Sequence, residues 1–168
     1  IIIPKITQDL KDTLAEAARF DWSKISPTIF GAVFESTLNP ETRRSGGMHY
    51  TSLENIHKLI DPLFLDDLKA EMREIRGISV LATQKRRLNS FQRKLASLVF
   101  FDPACGSGNF LTETYLCLRR LENEVLRLKV AADRKLTDGQ ISFGFEEDSP
   151  IKVTIHQFYG IEINDFAV

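Results

Sequence analysis

The sequence predicts an α/β protein: a helical N-terminal region, residues 1–97, followed by the first β-α-β unit of a parallel α/β domain, residues 98–168. Apolar residues recur at helical spacing through most of the first region. A short apolar run at 98–101 then enters a turn with two glycines, and a long amphipathic helix follows. A second apolar run, at 156–164, ends on acidic and amide groups, which is typical of a buried parallel strand.

Composition places the chain among ordinary globular proteins. Its 168 residues are 43% hydrophobic and 27% charged, with a formal net charge of −1. That length suffices for one domain with its own core. Proteins dedicated to nucleic-acid binding are usually basic, so the charge argues against a simple DNA clamp. We find no apolar run long enough to span a membrane and expect no membrane partner; the oligomeric state stays open.

The two cysteines occur outside any recognised metal-binding spacing. Cys105 lies in the predicted turn and Cys117 on the helix after it, where a disulfide between them would have poor geometry. We therefore predict no metal site, reduced thiols and a cytoplasmic location. The start, Ile1-Ile2-Ile3-Pro4, is neither an initiator methionine nor a signal peptide. We expect the chain to be a piece of a longer protein.

The helical region is predicted in several segments. Residues 8–20 form the first helix, and Ser26-Pro27 opens a second helix that ends at Asn39-Pro40. Residues 41–48 form a polar loop.

The third predicted helix begins just after that loop. Thr51 or Ser52 is its cap, and Glu54 would complete a capping box with Thr51. Pro62 bends or restarts the chain, and the helical pattern continues to about Ile75.

Later segments follow the same logic. Residues 83–97 are a basic helix whose Lys85-Arg86-Arg87 cluster most simply faces solvent. The first strand covers 98–101 and the following helix runs from Asn109 to about Val130. Residues 131–150 are predicted as a polar surface insertion, and the alternation at 151–155 predicts a half-exposed strand.

The turn after the first strand predicts a ligand site. Bare backbone N–H groups at a glycine turn before a helix are suited to holding a ligand. A dinucleotide fingerprint would place a third glycine where this chain has Leu111, and a phosphate-binding P-loop would need Gly-Lys-Ser/Thr. The sequence therefore argues against both a dinucleotide site and a P-loop. The alternative to a ligand site is a plain turn into a helix.

The residues of that turn resemble a known motif. Asp-Pro-Ala-Cys-Gly-Ser-Gly, residues 102–108, resembles motif I of S-adenosylmethionine-dependent DNA methyltransferases that modify amino groups. Residues 47–51 resemble motif X of the same family, and residues 159–164 resemble motif II. Together with the Phe-Gly-x-x-Phe-Glu segment at 30–35, their order is similar to that of MmeI-like, type IIG and type I modification enzymes of bacterial restriction–modification systems.

The resemblance implies the N-terminal part of a class I, Rossmann-like methyltransferase domain that binds S-adenosyl-L-methionine. In that family Thr51 would meet the cofactor's carboxylate, Asp102 its ammonium group and Glu162 its ribose hydroxyls. The implied cofactor-binding positions are His49, Tyr50, Thr51, Asp102, Pro103, Ala104, Cys105, Gly106, Gly108, Asn109, Phe110, Glu162 and Ile163.

The catalytic tetrapeptide of the family, Asn/Asp-Pro-Pro-Tyr/Phe, is absent. Asn39-Pro40 and Asp61-Pro62 are partial matches in the wrong order. We therefore expect this piece to be inactive and its parent to methylate adenine N6 in double-stranded DNA, with cytosine N4 left open. Methylation at cytosine C5 would need a Pro-Cys nucleophile, whereas Cys105 follows Ala104. An RNA or protein methyltransferase and a non-catalytic nucleotide-binding fragment remain alternatives.

Overall fold

A computed structural model describes residues 7–22, 51–136 and 150–163. These residues are mostly helical and contain a small two-stranded parallel sheet. Within them, no helix is both long and apolar enough to cross a membrane. The elements, in chain order, are α1 Gln8–Arg19, α2 Leu53–Ile60, a π-helical turn Asp61–Leu65, α3 Asp66–Arg76, α4 Leu81–Ser97, β1 Phe100–Asp102, α5 Asn109–Leu136, a 3₁₀ turn Ile155–Gln157 and β2 Phe158–Gly160.

Helix α1 confirms the first predicted helix but not a buried face. The Thr7 hydroxyl caps it by accepting a hydrogen bond from the N–H of Leu10. Leu10 and Leu14, the apolar residues that predicted the helix, are exposed. The predicted helix at 26–38 and the loop at 41–48 lie outside the described residues.

Helix α2 begins after Ser52, which is one of the two predicted caps. The Ser52 hydroxyl accepts from the N–H of Asn55, so Ser52 is the N-cap. The predicted capping box between Thr51 and Glu54 is wrong, because Thr51 as the N-cap would start the helix one residue earlier. Glu54 instead forms an ion pair with Lys58, one turn further along the helix.

Pro62 neither ends nor restarts the helical segment. The chain passes from α2 through the π-helical turn directly into α3. Pro62 is the second residue of this turn, and the N–H of Asp66 bonds the carbonyl of Asp61 across the wider ring. The turn buries Leu65 while α2 and α3 continue one amphipathic run.

Helices α4 and α5 form the main packing pair. The α5 helix extends to Leu136, so residues 131–136 belong to this helix rather than to the predicted insertion. Lys85 of α4 pairs with Asp133 of α5, while Arg86 and Arg87 are exposed, as predicted. The core contains Ile56, Ile60, Leu65, Leu68, Met72, Ile75, Leu88, Phe91, Leu95, Cys117, Leu118, Leu121, Val125 and Val153.

Strands β1 and β2 pair in parallel, with Phe100 opposite Phe158 and Asp102 opposite Gly160. The Phe100 and Phe158 rings stack at 5.2 Å between centroids, and Phe64 and Tyr115 cover them from the helices. The helices therefore cover this face of the sheet.

The opposite face of the sheet is exposed, whereas the sequence predicted that the second strand is buried. Phe101 and Tyr159 are exposed, as are Ile161 and Ile163. Strand β2 covers only Phe158–Gly160 of the predicted 156–164, because a capping box between Thr154 and Gln157 winds residues 155–157 into a 3₁₀ turn.

The predicted strand at 151–155 is wrong. Buried Glu122 of α5 accepts hydrogen bonds from the N–H groups of Lys152 and Val153. The same carboxylate accepts from the side chains of Gln92 and Arg119. Because a buried carboxylate needs several donors, it takes the backbone groups that a neighbouring strand would otherwise bond.

Gln157 sets the approach to β2. Its buried amide donates to the carbonyls of Leu95 and Leu98 at 2.8 Å each, and its oxygen accepts from the N–H of Thr154. These carbonyls lie at the end of α4, two to five residues before β1. The side chain thus joins the lead-ins of both strands.

We predict that Gln157→Ala lowers the free energy of unfolding by about 1–3 kcal/mol, because it deprives buried polar backbone groups of their partner. Chemical denaturation followed by circular dichroism measures this change. The control, His156→Ala, alters an exposed residue of the same 3₁₀ turn and should change stability by less than about 0.5 kcal/mol. Equal losses for the two variants would contradict the assignment.

Candidate functional site

The glycine loop, residues 103–108, connects β1 to α5. Gly106 and Gly108 have φ angles of 53° and 75°, a region that residues with a Cβ rarely adopt. The N–H of Gly108 bonds the carbonyl of Cys105 at 2.8 Å. The Asp102 carboxylate accepts from the N–H of Ala104 at 3.0 Å. These contacts fold the chain into a tight turn at the carboxyl end of the strand.

The end of β2 is bonded to this loop. The N–H of Ile161 bonds the carbonyl of Asp102 at 2.9 Å, and the N–H of Cys105 bonds the carbonyl of Ile161 at 3.0 Å. The Glu162 carboxylate accepts from the N–H of Gly106 at 2.8 Å, across 56 residues of sequence. Two residues selected from separate sequence motifs, Asp102 and Glu162, thereby lie at the same edge of the sheet.

The backbone of the glycine loop faces open space. A Cβ placed on Gly106 would meet no atom within 4 Å, and one on Gly108 would meet only the Thr112 hydroxyl, at 4.0 Å. A ligand can therefore approach the main chain at these two positions, where any other residue would present a side chain. The N–H groups expected to be bare are instead bonded within the protein, that of Gly106 to Glu162 and that of Gly108 to Cys105.

Gly160 explains how Leu111 can stand where a dinucleotide fingerprint has its third glycine. A Cβ on Gly160 would lie 2.7 Å from the Cys105 sulfur and 3.2 Å from Leu111 Cδ1. The close approach of helix and strand that the third glycine usually permits is provided here from β2. Sequence reasoning did not select Gly160, because its role depends on contacts with residues about fifty positions away.

The Cys105 thiol is not a candidate nucleophile. Burial, and then the carboxylates of Asp102 and Glu162, raise its pKa above the ordinary thiol value. A protonated thiol is a poor nucleophile. The side chain instead fills the space between the loop and Gly160.

An apolar groove of about 290 Å³ borders the loop. It lies between the π-helical turn, β1 and the first turn of α5, and Asp102 and Thr114 are its polar contributors. Its lining residues are Leu59, Ile60, Leu63, Phe64, Phe100, Phe101, Asp102, Pro103, Phe110, Leu111 and Thr114. Three sequence-selected positions, Asp102, Pro103 and Phe110, are among them.

The remaining cofactor-binding positions selected from the sequence are His49, Tyr50, Thr51, Asn109 and Ile163. His49 and Tyr50 lie outside the described residues, and Thr51 is half-buried directly before the α2 cap. Helix α2 packs against α5, the helix that begins at the glycine loop. Asn109 is buried at the first position of α5, whereas Ile163 is exposed.

A second polar cluster, which we call the His57 cluster, joins α2 to α5. It consists of His57, Asp61, Glu113, Cys117 and Arg120. One Glu113 carboxylate oxygen lies 3.4 Å from His57 Nε2, 3.4 Å from the Cys117 sulfur and 3.0 Å from Arg120 Nη1. His57 Nδ1 lies 2.9 Å from Asp61.

Burial dominates the titration of the thiol in this cluster. Burial and then Glu113 raise the pKa of Cys117 to about 11. The hydrogen bond from His57 lowers the pKa of Asp61. The i, i+4 spacing of Glu113 and Cys117 was visible in the sequence, but the arrival of His57 from another helix was not.

Comparisons with known proteins define the class. The family described as the DNA-methyltransferase domain of MmeI matches residues 78–168. "DNA methyltransferase A" of Bacillus subtilis (strain 168) is 40% identical over 148 residues, which are 88% of this chain and 15% of that protein. A solved structure of the type IIL restriction–modification enzyme MmeI in complex with DNA aligns with a TM-score of 0.75 and 43% identity, covering 95% of this chain and 20% of that one.

These matches place the chain among DNA methyltransferases. It belongs to the family of MmeI-type DNA-methyltransferase domains. The chain spans about a fifth or less of the length of the relatives described. The predicted resemblance to MmeI-like DNA methyltransferases is confirmed.

We predict that Gly160→Ala destabilises the protein by about 1–3 kcal/mol, because the new methyl group overlaps Cys105. Adding Cys105→Ala should recover part of the loss, which a double-mutant cycle measures as favourable coupling. Gly77→Ala is the control: Gly77 has a φ of −73° and space for a Cβ, so the change should stabilise by about 0.4–1 kcal/mol. A harmless Gly160→Ala would refute the packing argument.

Proposed function

We propose that the glycine loop and Glu162 form part of an S-adenosylmethionine site, in a chain that supplies the first portion of a Rossmann-like methyltransferase domain. The hydrogen bond from the Gly106 N–H to the Glu162 carboxylate carries the proposal. It places an acidic strand end beside a backbone that is open to a ligand. Membership of a DNA-methyltransferase family supports a methyl donor as that ligand.

Each group at the site suits one part of that cofactor. The Asp102 carboxylate would attract the ammonium group, and the open backbone at Gly106 and Gly108 would admit the methionine and ribose portions closely. A carboxylate has about four acceptor positions. Glu162 already accepts from the N–H groups of Gly106 and Ile163, and in the proposed site the ribose hydroxyls would donate to the same carboxylate.

The other selected positions complete the proposed site. His49, Tyr50 and Thr51 would supply the end of the site that meets the cofactor's carboxylate, and Ile163 would flank the adenine. Pro103, Ala104, Cys105, Asn109 and Phe110 shape the loop and the apolar groove beside it.

The proposal of a Rossmann-like domain rests on the face of the sheet that the helices do not cover. Parallel sheets are normally covered on both faces. Here Phe101 and Tyr159 are exposed on the face opposite the helices. We propose that residues 98–168 open a longer sheet and that residues 1–97 form a helical region carrying the motif X-like segment.

The proposed reaction of the parent protein is methylation of an exocyclic amine in double-stranded DNA, at adenine N6, within a cytoplasmic restriction–modification or phage-defence enzyme. When bound, the cofactor supplies an electrophilic methyl group on its sulfonium. This chain's own residues would hold that cofactor, while the protonated Cys105 argues against cytosine C5 chemistry. Cytosine N4 is the second candidate, since the same family motif serves both amines.

We predict that the chain binds S-adenosylmethionine weakly and that Glu162→Gln raises the Kd about 10- to 100-fold. The substitution keeps the side-chain shape but removes charge-assisted hydrogen bonds worth about 1.5–3 kcal/mol. Isothermal titration calorimetry on this chain and on the full-length parent measures the change.

Glu74→Gln, at an exposed carboxylate of α3, is the matched control and should leave the Kd unchanged. NAD serves as the control ligand and should not bind. Absence of S-adenosylmethionine binding in the parent, or an unchanged Kd in Glu162→Gln, would overturn the proposed site.

We predict that duplex DNA incubated with the full-length parent and S-adenosylmethionine acquires N6-methyladenine. Digestion to nucleosides followed by mass spectrometry separates this product from N4- and C5-methylcytosine. Detection of N4-methylcytosine would identify cytosine N4 as the methylated amine. Methylated RNA or protein without methylated DNA would reject DNA as the substrate.

A further inference from the structure

The His57 cluster holds a set of metal-ligating atoms that the proposed methyltransferase site does not use. His57 Nε2, a Glu113 carboxylate oxygen and the Cys117 sulfur all lie within 4.8 Å of one another. Glu113 and Cys117 are buried, and the His57 side chain is 32% exposed. The three ligands come from α2 and α5.

Two of the three distances between these atoms match the edges of a tetrahedral zinc site, and the third, between His57 Nε2 and the Cys117 sulfur, is at most 4.8 Å. Zinc lies about 2.0–2.1 Å from nitrogen or oxygen and about 2.3 Å from sulfur, which sets ligand atoms about 3.3–3.6 Å apart. The Glu113 oxygen is 3.4 Å from both the His57 nitrogen and the Cys117 sulfur. These two edges therefore require almost no rearrangement.

The second ring nitrogen of His57 is placed as in zinc proteins. Nδ1 lies 2.9 Å from the Asp61 carboxylate. A metal-bound histidine commonly donates its other N–H to a carboxylate, which fixes the tautomer and orients the ring. With that proton on Nδ1, the Nε2 lone pair is available to bind a cation on the side of the Glu113 oxygen.

We propose that His57, Glu113 and Cys117 bind one zinc ion, with Asp61 as the group that orients His57. Binding releases the thiol proton to solvent and leaves the sulfur as thiolate. Arg120, whose side chain is 65% exposed, moves away from the Glu113 oxygen, and water occupies the fourth position. The mixed set of nitrogen, oxygen and sulfur donors favours zinc over magnesium or calcium.

The site would hold α2 against the first turns of α5. Helix α2 follows the motif X-like segment, and α5 starts at the glycine loop. A zinc ion there would join these two parts of the chain independently of whether a methyl donor binds.

Cobalt(II) is the probe for this site in the 168-residue chain, after removal of metal with a chelator. We expect one equivalent of cobalt to bind with a sulfur-to-cobalt charge-transfer band, and one equivalent of zinc to displace it. Cys117→Ser should abolish the band, and Asp61→Asn should weaken zinc binding about 10- to 100-fold.

The chain supplies matched controls at its other described cysteine and histidine. Cys105→Ser and His156→Gln should keep both the band and the stoichiometry, because neither residue belongs to the cluster. Circular dichroism verifies that each variant is folded. If Cys117→Ser does not fold, His57→Gln, at a partly exposed position, is the variant that tests the site. Loss of the cobalt band in His57→Gln would support the site.

X-ray absorption at the zinc edge tests the same site without any substitution. One sulfur and three nitrogen or oxygen neighbours would support it. No bound metal in the unmodified chain, or zinc bound without sulfur, would show that the cluster is a hydrogen-bonded network only. Neither result would bear on S-adenosylmethionine binding, which calorimetry measures separately.

Discussion

Parallel pairing of two three-residue strands brings the candidate site together. With Asp102 opposite Gly160, the loop that leaves β1 and the residues that leave β2 emerge at one edge of the sheet. Three hydrogen bonds then join Asp102 and the glycine loop to residues 161 and 162. A shift of the register by one residue would turn Phe158 away from Phe100 and move Glu162 off the glycine loop. The position of the site therefore depends on this register.

Buried polar side chains on the helices maintain the register. Gln157 bonds the end of α4, and Glu122 of α5 bonds the backbone before β2. Within the described residues, every fully buried side-chain nitrogen or oxygen has a hydrogen-bond partner. A satisfied buried network is costly to disturb, because each member that loses its partner stays out of reach of water. Two short strands thus gain a fixed position from the helices behind them.

Close packing at Gly160 imposes a second constraint on the same edge. The glycine accommodates both Cys105 and Leu111, so the first turn of α5 can approach β2 although α5 itself carries a bulky residue there. A small residue is needed at this helix–strand contact, and either element can provide it. The absence of a third glycine after Gly108 is consistent with this alternative solution.

The sequence by itself determined the family, the helices within the described residues and the glycine loop. These features depend on local patterns: apolar spacing of 3.6 residues, cap residues, and a motif whose two glycines adopt positive φ. Local patterns also predicted that Asp102 and Glu162 lie at strand ends; β1 does end at Asp102, whereas β2 ends two residues before Glu162. They erred at Thr51 and at residues 151–155, where a competing cap and a distant buried carboxylate decided the backbone conformation.

Only the tertiary structure decided which distant side chains meet. The bond between Gly106 and Glu162, the space at Gly160 and the convergence of His57 on Glu113 and Cys117 each join residues about fifty positions apart. Such contacts follow from strand register and helix packing, which hydrophobic periodicity alone leaves open. The sequence therefore identified the chemistry carried by the loop, whereas the fold determined what surrounds it.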